Sequence, residues 1–314
     1  MNNTSKALIP ALILMVLGLL GSLLSGKVDP VDVSIMTYNI RLLTDNDKGT
    51  SNWEARKDFL ADTIRDQDAD FVGVQEAFRE QLDFLGSRLG RYTELGVGRE
   101  DGVTKGEYSA ILYKSSRFEV EDSGTFWLSS EPDVPNSMTW GNKITRICTW
   151  ARFKHGKTGR RFDVFNAHFD HQSEDARRRA MAQINKRIAE RPEPQGHVIL
   201  MGDFNAGEKS WAIRYAKGAA DVEALPDDPS TPEQDPVPGK PAVVLRDTFR
   251  AIEPDAPEPG TFHGFKGVPT SGKIDYIFVE KRGNRVLAAD VWRVNRDGVY
   301  PSDHFPVRAT VRFW

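Results

Sequence analysis

The sequence predicts a mixed α/β domain whose sheets are covered on both faces, and three observations carry that reading. Short apolar runs rich in β-branched and aromatic residues recur from Val33 to Val311. Two stretches between them carry helix signals. No internal repeat and no linker-like composition divides the chain after residue 31. A chain of 314 residues, 39% of them hydrophobic, can bury a large core.

The strands are expected at Val33–Tyr38, Phe71–Val74, Ala110–Tyr113, Ile147–Phe153, Phe162–Ala167, Val198–Met201, Ile274–Val279 and Phe305–Val311. The first helix starts at Ser51-Asn-Trp-Glu54, read as a capping box, and carries Phe59, Leu60 and Ile64 on one face. The second runs from about Ser173 to Glu190 and stops before Pro192. The stretch from Leu225 to Pro241 is rich in Pro and Asp, which makes it a surface loop within the domain. One domain over residues 31–314 follows.

Residues 1–27 are set apart. Ala7 to Leu24 is uncharged and apolar, follows Lys6, and is succeeded by Ser25 and Gly26, the layout of a secretory signal. The run also approaches the ~20 residues that span a bilayer, so a retained membrane anchor is the other reading, and Leu23 and Ser25 make a poor cleavage site. Either way the domain is expected outside the cytosol, exported to the periplasm or medium or held at the membrane. The lone Cys148 sits in an apolar run and reads as a buried core residue that does not identify the compartment. The net charge of −3 supplies no global field for nucleic acid, although a local basic groove stays open.

Polar residues punctuate the strands. Asn39 closes Ile35–Asn39, Glu76 closes Phe71–Glu76, and His168 and Asp170 close Val164–Asp170. Asp203 and Asn205 close Ile199–Asn205, Asp275 opens the run to Val279, and Asp303-His304 precedes the last strand. One such residue is ordinarily a turn or a cap; six endings of this kind describe a cleft. Asn, Asp and Glu are hard oxygen donors suited to Mg²⁺ or Mn²⁺, and no Cys/His spacing for zinc is present. No nucleophile elbow, Walker loop or dinucleotide fingerprint appears. Hard metal with His and Asp argues for water attacking a phosphate ester.

The ordered series Thr-Tyr-Asn39, Val-Gln-Glu76, Asn-Ala-His168, Gly-Asp-Phe-Asn205, Ile-Asp275-Tyr and Ser-Asp-His304 resembles the endonuclease/exonuclease/phosphatase family from about Val33 to Trp314. The resemblance implies a four-layer α/β sandwich of two packed sheets flanked by helices. It implies Glu76 as principal metal ligand with Asn39 beside it and Asp303 contributing. Asp203 would orient or deprotonate the water, and Asn205 would hold phosphate or metal. His304, positioned by Asp275, would stabilise the phosphoryl oxygens, with His168 bonding the phosphate from the other side.

Glu107 is either an orienting partner of His168, as in some relatives, or a solvated edge charge. Asp170 supports the site or caps the next helix. Arg177 belongs to a solvated face or reaches substrate phosphate, and His263 contacts substrate or shapes a turn. Tyr108, Trp127 and Trp140 read as packing residues. Trp53-Glu-Ala-Arg56, Gly98-Arg-Glu-Asp-Gly102, Phe126-Trp-Leu-Ser129, His168-Phe-Asp-His171 and Thr261-Phe-His263 resemble the bacterial metal-dependent hydrolase branch, similar to the deadenylase and nocturnin side.

The expected activity is that of a monomeric Mg²⁺- or Mn²⁺-dependent phosphoesterase acting on a small phosphorylated molecule. A secreted nuclease on DNA or RNA is the alternative and would need a basic groove. A non-catalytic binding module is disfavoured because every metal ligand and the final histidine are present.

Overall fold

Alternation along the first strand shows how the layers arise. In β1 (Val31–Asn39) Val33 and Ile35 point inward to the core shared by the two sheets, while Met36 and Tyr38 point outward to the helices. The computed structural model describes residues 29–219, 222–225, 237 and 239–314. The expected signal or anchor at residues 1–27, and most of the loop from Leu225 to Pro241, lie outside them. Among the described residues no helix is long and apolar enough to cross a membrane.

One sheet contains β1, β2 (Phe71–Ala77), β3 (Thr93–Leu95), β4 (Tyr108–Tyr113), β11 (Asn284–Val291) and β12 (Val307–Phe313), in the order β11-β12-β1-β2-β4-β3. The other contains β5 (Phe118–Trp127), β6 (Ile147–His155), β7 (Arg161–His168), β8 (His197–Asp203), β9 (Leu245–Asp247) and β10 (Asp275–Glu280), in the order β5-β6-β7-β8-β10-β9. Each sheet has one parallel pair at its centre, β1 with β2 and β7 with β8, and every other pairing is antiparallel.

Ile35, Phe71 and Ile111 of one sheet meet Val164, Ile199, Met201 and Ile277 of the other in the central core. Helices α1 (Trp53–Gln67) and α2 (Arg79–Arg88) cover the outer face of the first sheet through Leu60, Ile64, Leu82 and Leu85. Helix α3 (Glu174–Ala189) covers the second through Ala180, Met181 and Ile184. The result is the expected α/β sandwich. Cys148 is fully buried, and burial pushes its thiol pKa up, as a core residue requires.

All eight expected strands form. Four more, β3, β5, β9 and β11, join them without an apolar run to announce them, and all four are sheet edges. Their exposed face keeps charges such as Glu119 and Asp122 in β5, which break the apolar run that identifies a central strand. The expectation of two helices is also corrected. Besides the expected α1 and α3, the described residues form α2, which follows β2 directly, and α4 (Trp211–Ala216) and α5 (Thr248–Ile252), both too short to show a period. The α1 cap falls at Asn52, whose side chain accepts from Glu54 N at 3.0 Å, and Ser51 belongs to a preceding 3₁₀ turn. Helix α3 starts where expected, and Ser173 rather than Asp170 caps it, accepting from Ala176 N at 3.1 Å.

Candidate active site

The two parallel pairs bring the polar strand ends together. Asn39 pairs with Gln75 at the end of β1 and β2. His168 pairs with Asp203 at the end of β7 and β8, and Asp203 with Asp275 where β10 begins. Ser302-Asp303-His304 enters β12 beside β1, tied by the bond from Ser302 Oγ to Asn39 O at 2.7 Å. Sequence positions far apart therefore end in one place.

Backbone geometry aims them. Glu76 has φ 65° and sits where the β2–β4 register shifts between Gln75 and Ala77, a bulge that turns its carboxylate toward the cleft. Asn205 has φ 45°, in the turn where its N–H donates to Asp203 Oδ1 at 2.9 Å. Gly202 has φ +149°, and a Cβ there would stand 2.0 Å from Ala167 O, so only glycine lets β8 approach β7 just before Asp203.

Asn39 joins the two sheets: its Nδ2 donates to Glu76 Oε1 and to Asp203 Oδ2, each at 3.0 Å, and its Oδ1 accepts from Arg41 N at 3.0 Å. Leu42 N donates to Glu76 Oε2 at 3.0 Å. Asp303 lies 3.8 Å from Arg41 Nε, and burial together with the charge of Glu76 raises its pKa. This side presents carboxylate oxygens from Glu76 and Asp303, with the Asn39 amide turning its Nδ2 to Glu76 and its Oδ1 to Arg41 N.

The other side manages protons. His304 Nδ1 is 2.9 Å from Asp275 Oδ2, and its Nε2 is 3.8 Å from Asp203 Oδ2. Burial pulls the imidazole pKa down, but the Asp275 and Asp203 carboxylates overcome it and raise it to about 10. His304 is therefore a cation that donates to Asp275. Asp203 is raised to about 7, first by burial and then by the charge of Asp275.

His168 behaves in the opposite way. Burial and the guanidinium of Arg146 hold its pKa well below the usual range. Asn205 Nδ2 donates to Phe169 O at 3.0 Å and meets His168 Nε2 at 3.1 Å; a reversed amide would set oxygen against the Phe169 carbonyl. His168 Nε2 is thus an acceptor, and the ring proton lies on Nδ1, 3.9 Å from Glu107 Oε2. Glu107 is not a solvated charge: it is half-buried at the cleft and held by Arg99 through contacts of 2.8 and 2.6 Å.

Three candidates lie apart from the reacting groups. Arg177 Nη1 donates to Asp170 O at 2.9 Å, which ties it to the turn before α3 and not to the cleft. Asp170 Oδ1 accepts from Gln172 N and Ser173 N in that turn, so it shapes the approach to the helix while Ser173 caps it. His263 is buried, stacks on Phe305 at 4.0 Å between centroids and accepts from Gly267 N at 3.2 Å, the turn role. Trp127 donates to Arg99 O at 2.7 Å, Tyr108 donates to Val103 O at 3.0 Å, and Trp140 is buried; all three pack.

Sequence reasoning missed the arginines. Arg41, at φ 59° directly after β1, is bidentate to Asp47 at 3.0 Å and faces Asp303. Arg56 is wholly buried and donates to the carbonyls of Ile40, Arg41, Ser51 and Pro301 at 2.6 to 3.0 Å. It thereby clamps the segment after β1 to the segment carrying Asp303 and His304. Arg146 immediately precedes β6 and lies beside His168. The signal was available, since Arg41 and Arg146 also stand at strand ends, but a lone arginine there ordinarily reads as solvated.

The donor chemistry fits a hard divalent cation. Two donor sets compete for it. The ligating atoms of Asp203, Asp275 and His304 lie within 4.8 Å of one another. In that group, however, His304 Nδ1 and Asp275 Oδ2 are already paired with each other at 2.9 Å. The set of Glu76 and Asp303, with the Asn39 amide beside them, contains no imidazole and is the better fit for a hard cation.

A two-sheet α/β sandwich whose strand ends assemble buried carboxylates, amides and two oppositely tuned histidines defines a hydrolase of the phosphoester-cleaving class. The chain belongs to the Endonuclease/Exonuclease/phosphatase family, whose model matches residues 36–304. It is 33% identical to a family member from Bacteroides vulgatus, with TM-score 0.75 over 90% of this chain and 100% of that one. A mannosyl-6-phosphatase of Bacteroides thetaiotaomicron is 31% identical, with TM-score 0.73 over 89% of this chain and 99% of that one. An uncharacterised protein of Acanthamoeba polyphaga mimivirus is 27% identical over 164 residues, half of this chain, and the match spans 60% of that curated relative's length.

Proposed function

We propose that the protein is a Mg²⁺- or Mn²⁺-dependent phosphoesterase that hydrolyses a small phosphorylated molecule. The observation that carries the proposal is the Asn39 amide bridging Glu76 and Asp203 at 3.0 Å each, which sets an oxygen-ligand wall against a proton-handling cluster. Glu76 and Asn39, with Asp303 alongside, would hold the ion. A bound divalent cation supplies Lewis-acid polarisation of a phosphoryl oxygen.

The chain's own groups do the rest. Asp203, with its proton affinity raised to about 7, accepts the proton of the attacking water near neutral pH. His304, oriented by Asp275 at 2.9 Å, donates from Nε2 to the phosphoryl oxygen on which negative charge grows. His168 and Asn205, bonded to each other, close the opposite side of that position.

The acidic net charge and the 31% identity to a mannosyl-6-phosphatase support a small substrate over a polynucleotide. The apolar run from Ala7 to Leu24 supports export or tethering of this activity. The test is turnover of p-nitrophenyl phosphate and bis(p-nitrophenyl) phosphate by the full chain with Mg²⁺, Mn²⁺ or EDTA, beside His304→Ala. Hydrolysis that requires metal and collapses in the variant is expected. Turnover indifferent to EDTA and to the substitution contradicts the proposal, and salt-sensitive cleavage of DNA or RNA would move it to the nuclease side.

A further inference from the structure

We propose that the end of the sandwich at which β1 begins is the face this protein lays on an anionic lipid surface, with the cleft opening into water on the far side. The inference takes from the functional reading only the tethering role of Ala7–Leu24, and it holds whichever ester the cleft hydrolyses. The chain enters the fold at this end: Ser25 to Val28 alone separate the apolar run from Asp29, a reach of at most ~18 Å. Asp29 O accepts from Arg160 Nε at 3.3 Å, and Asp29–Asp32 share a groove with Arg117, Lys157 and Arg312. On the adjoining strand β12 ends at Trp314, whose N–H donates to Gly283 O at 3.1 Å in the turn between β10 and β11.

The charge of this end is one-sided. Its connections at residues 114–117, 154–161 and 281–285 contain nine Lys or Arg and no Asp or Glu. Neighbouring strands and loops match some of them, Lys114 with Asp68 at 2.9 Å, Arg117 with Asp70 and Arg161 with Glu121. Lys157, Lys281, Arg282 and Arg285 are exposed and have no carboxylate partner among the described residues. Trp314, 52% exposed, lies beside three of these four. Unpaired cations around a bare indole suit a layer of anionic headgroups, where the ring sits at the interface and the charges meet phosphate. A polynucleotide would meet the same charges, but the apolar run next to Asp29 favours lipid. The cleft end has another balance: loops 40–52, 96–107 and 128–146 carry six basic and seven acidic residues. The length of β1 holds the two ends roughly 26 Å apart, so a bilayer on the basic end leaves Asn39 and the cleft facing solution.

The experiment places one fluorescent label on the full chain, through Ser116→Cys at the basic end or Val103→Cys at the cleft end; both positions are exposed, and Cys148 is buried from the reagent. Vesicles of phosphatidylcholine, alone or with ~30% phosphatidylglycerol, carry a nitroxide quencher on a headgroup. On the anionic vesicles the label at 116 should be quenched ~3-fold or more beyond the label at 103. Reversing two charges together, Lys281→Glu with Arg282→Glu, should remove about half of that difference or more at an unchanged Tm, and high salt should act in the same direction. Equal quenching at the two positions, or stronger quenching at 103, overturns the proposal. Quenching at 116 that ignores the charge reversal also overturns it, and loss of oligonucleotide binding in the same variant would then give the face to polynucleotides. A chain that binds the anionic vesicles and not the neutral ones refutes the tethering reading and supports the face; a chain that binds neither overturns both.

Discussion

The two sheets have the same plan and different chemistry. Each has six strands with one central parallel pair, and each sends the ends of that pair to the same cleft. The first pair ends in Asn39 and Glu76, oxygen donors held by main-chain and amide N–H groups. The second ends in His168 and Asp203, whose protonation is tuned by burial and by neighbouring charge. A repeated scaffold supplies two presentation points, and the identity of the last residues decides that one side holds a ligand set while the other handles protons.

The sharpest way to break that division is to remove the proton side. Asp203→Asn keeps shape and should lower kcat by on the order of 10³ with a small change in Tm, in stopped assays on the ester that the parent hydrolyses. Asn39→Ala attacks the bridge. It leaves Glu76 and Asp203 facing each other without the shared amide, and Mn²⁺ affinity read by titration should fall about 10–100-fold.

Stability tests address how the ends are held. Gly202→Ala drives a Cβ into Ala167 O and should cost on the order of 2–4 kcal/mol in denaturant unfolding. Arg56→Met strands buried carbonyls on both segments of the clamp and should cost on the order of 2–3 kcal/mol, with activity falling further than stability explains. A native-like Tm in either variant would contradict the packing described.

The smallest expected effect is a pH dependence of stability set by two buried histidines. Burial lowers the pKa of His197 and of His263 to about 4. His263 owes its burial to stacking on Phe305, and His197 to packing against Phe162 and Phe313. Both rings are neutral in the fold, so the unfolded chain binds more protons between pH 6.5 and pH 4. Their contribution is full above about pH 6.5 and is lost as pH falls toward about 4. His197→Phe should flatten part of that decline in urea midpoints taken across the window, and an unchanged slope would contradict the assignment.

Much of this was legible in the sequence, and the rest was hidden for physical reasons. Central strands are buried on both faces and read as continuous apolar runs, so Phe71–Val74 and Val198–Met201 stood out. Edge strands such as β11 alternate and carry charge, and they resembled loops. The cleft residues were visible because a carboxylate closing a buried strand serves packing badly. What no pattern revealed was tertiary: that Asn39 spans both sheets, that Arg56 donates to four carbonyls, and that Arg146 lies behind His168. His168 and His304 look alike in sequence. Only their neighbours, arginine for one and aspartate for the other, drive their pKa values apart.

The division of labour between the sheets is tested most directly by titrating Mn²⁺ into the full chain and following the free ion by electron paramagnetic resonance, in the parent, Glu76→Gln and Asp275→Asn. Glu76→Gln is expected to weaken Mn²⁺ binding by ~10-fold or more, while Asp275→Asn leaves the affinity within ~3-fold and impairs turnover through His304. Mn²⁺ affinity that collapses in Asp275→Asn and survives in Glu76→Gln would place the ion on the second sheet and contradict that division.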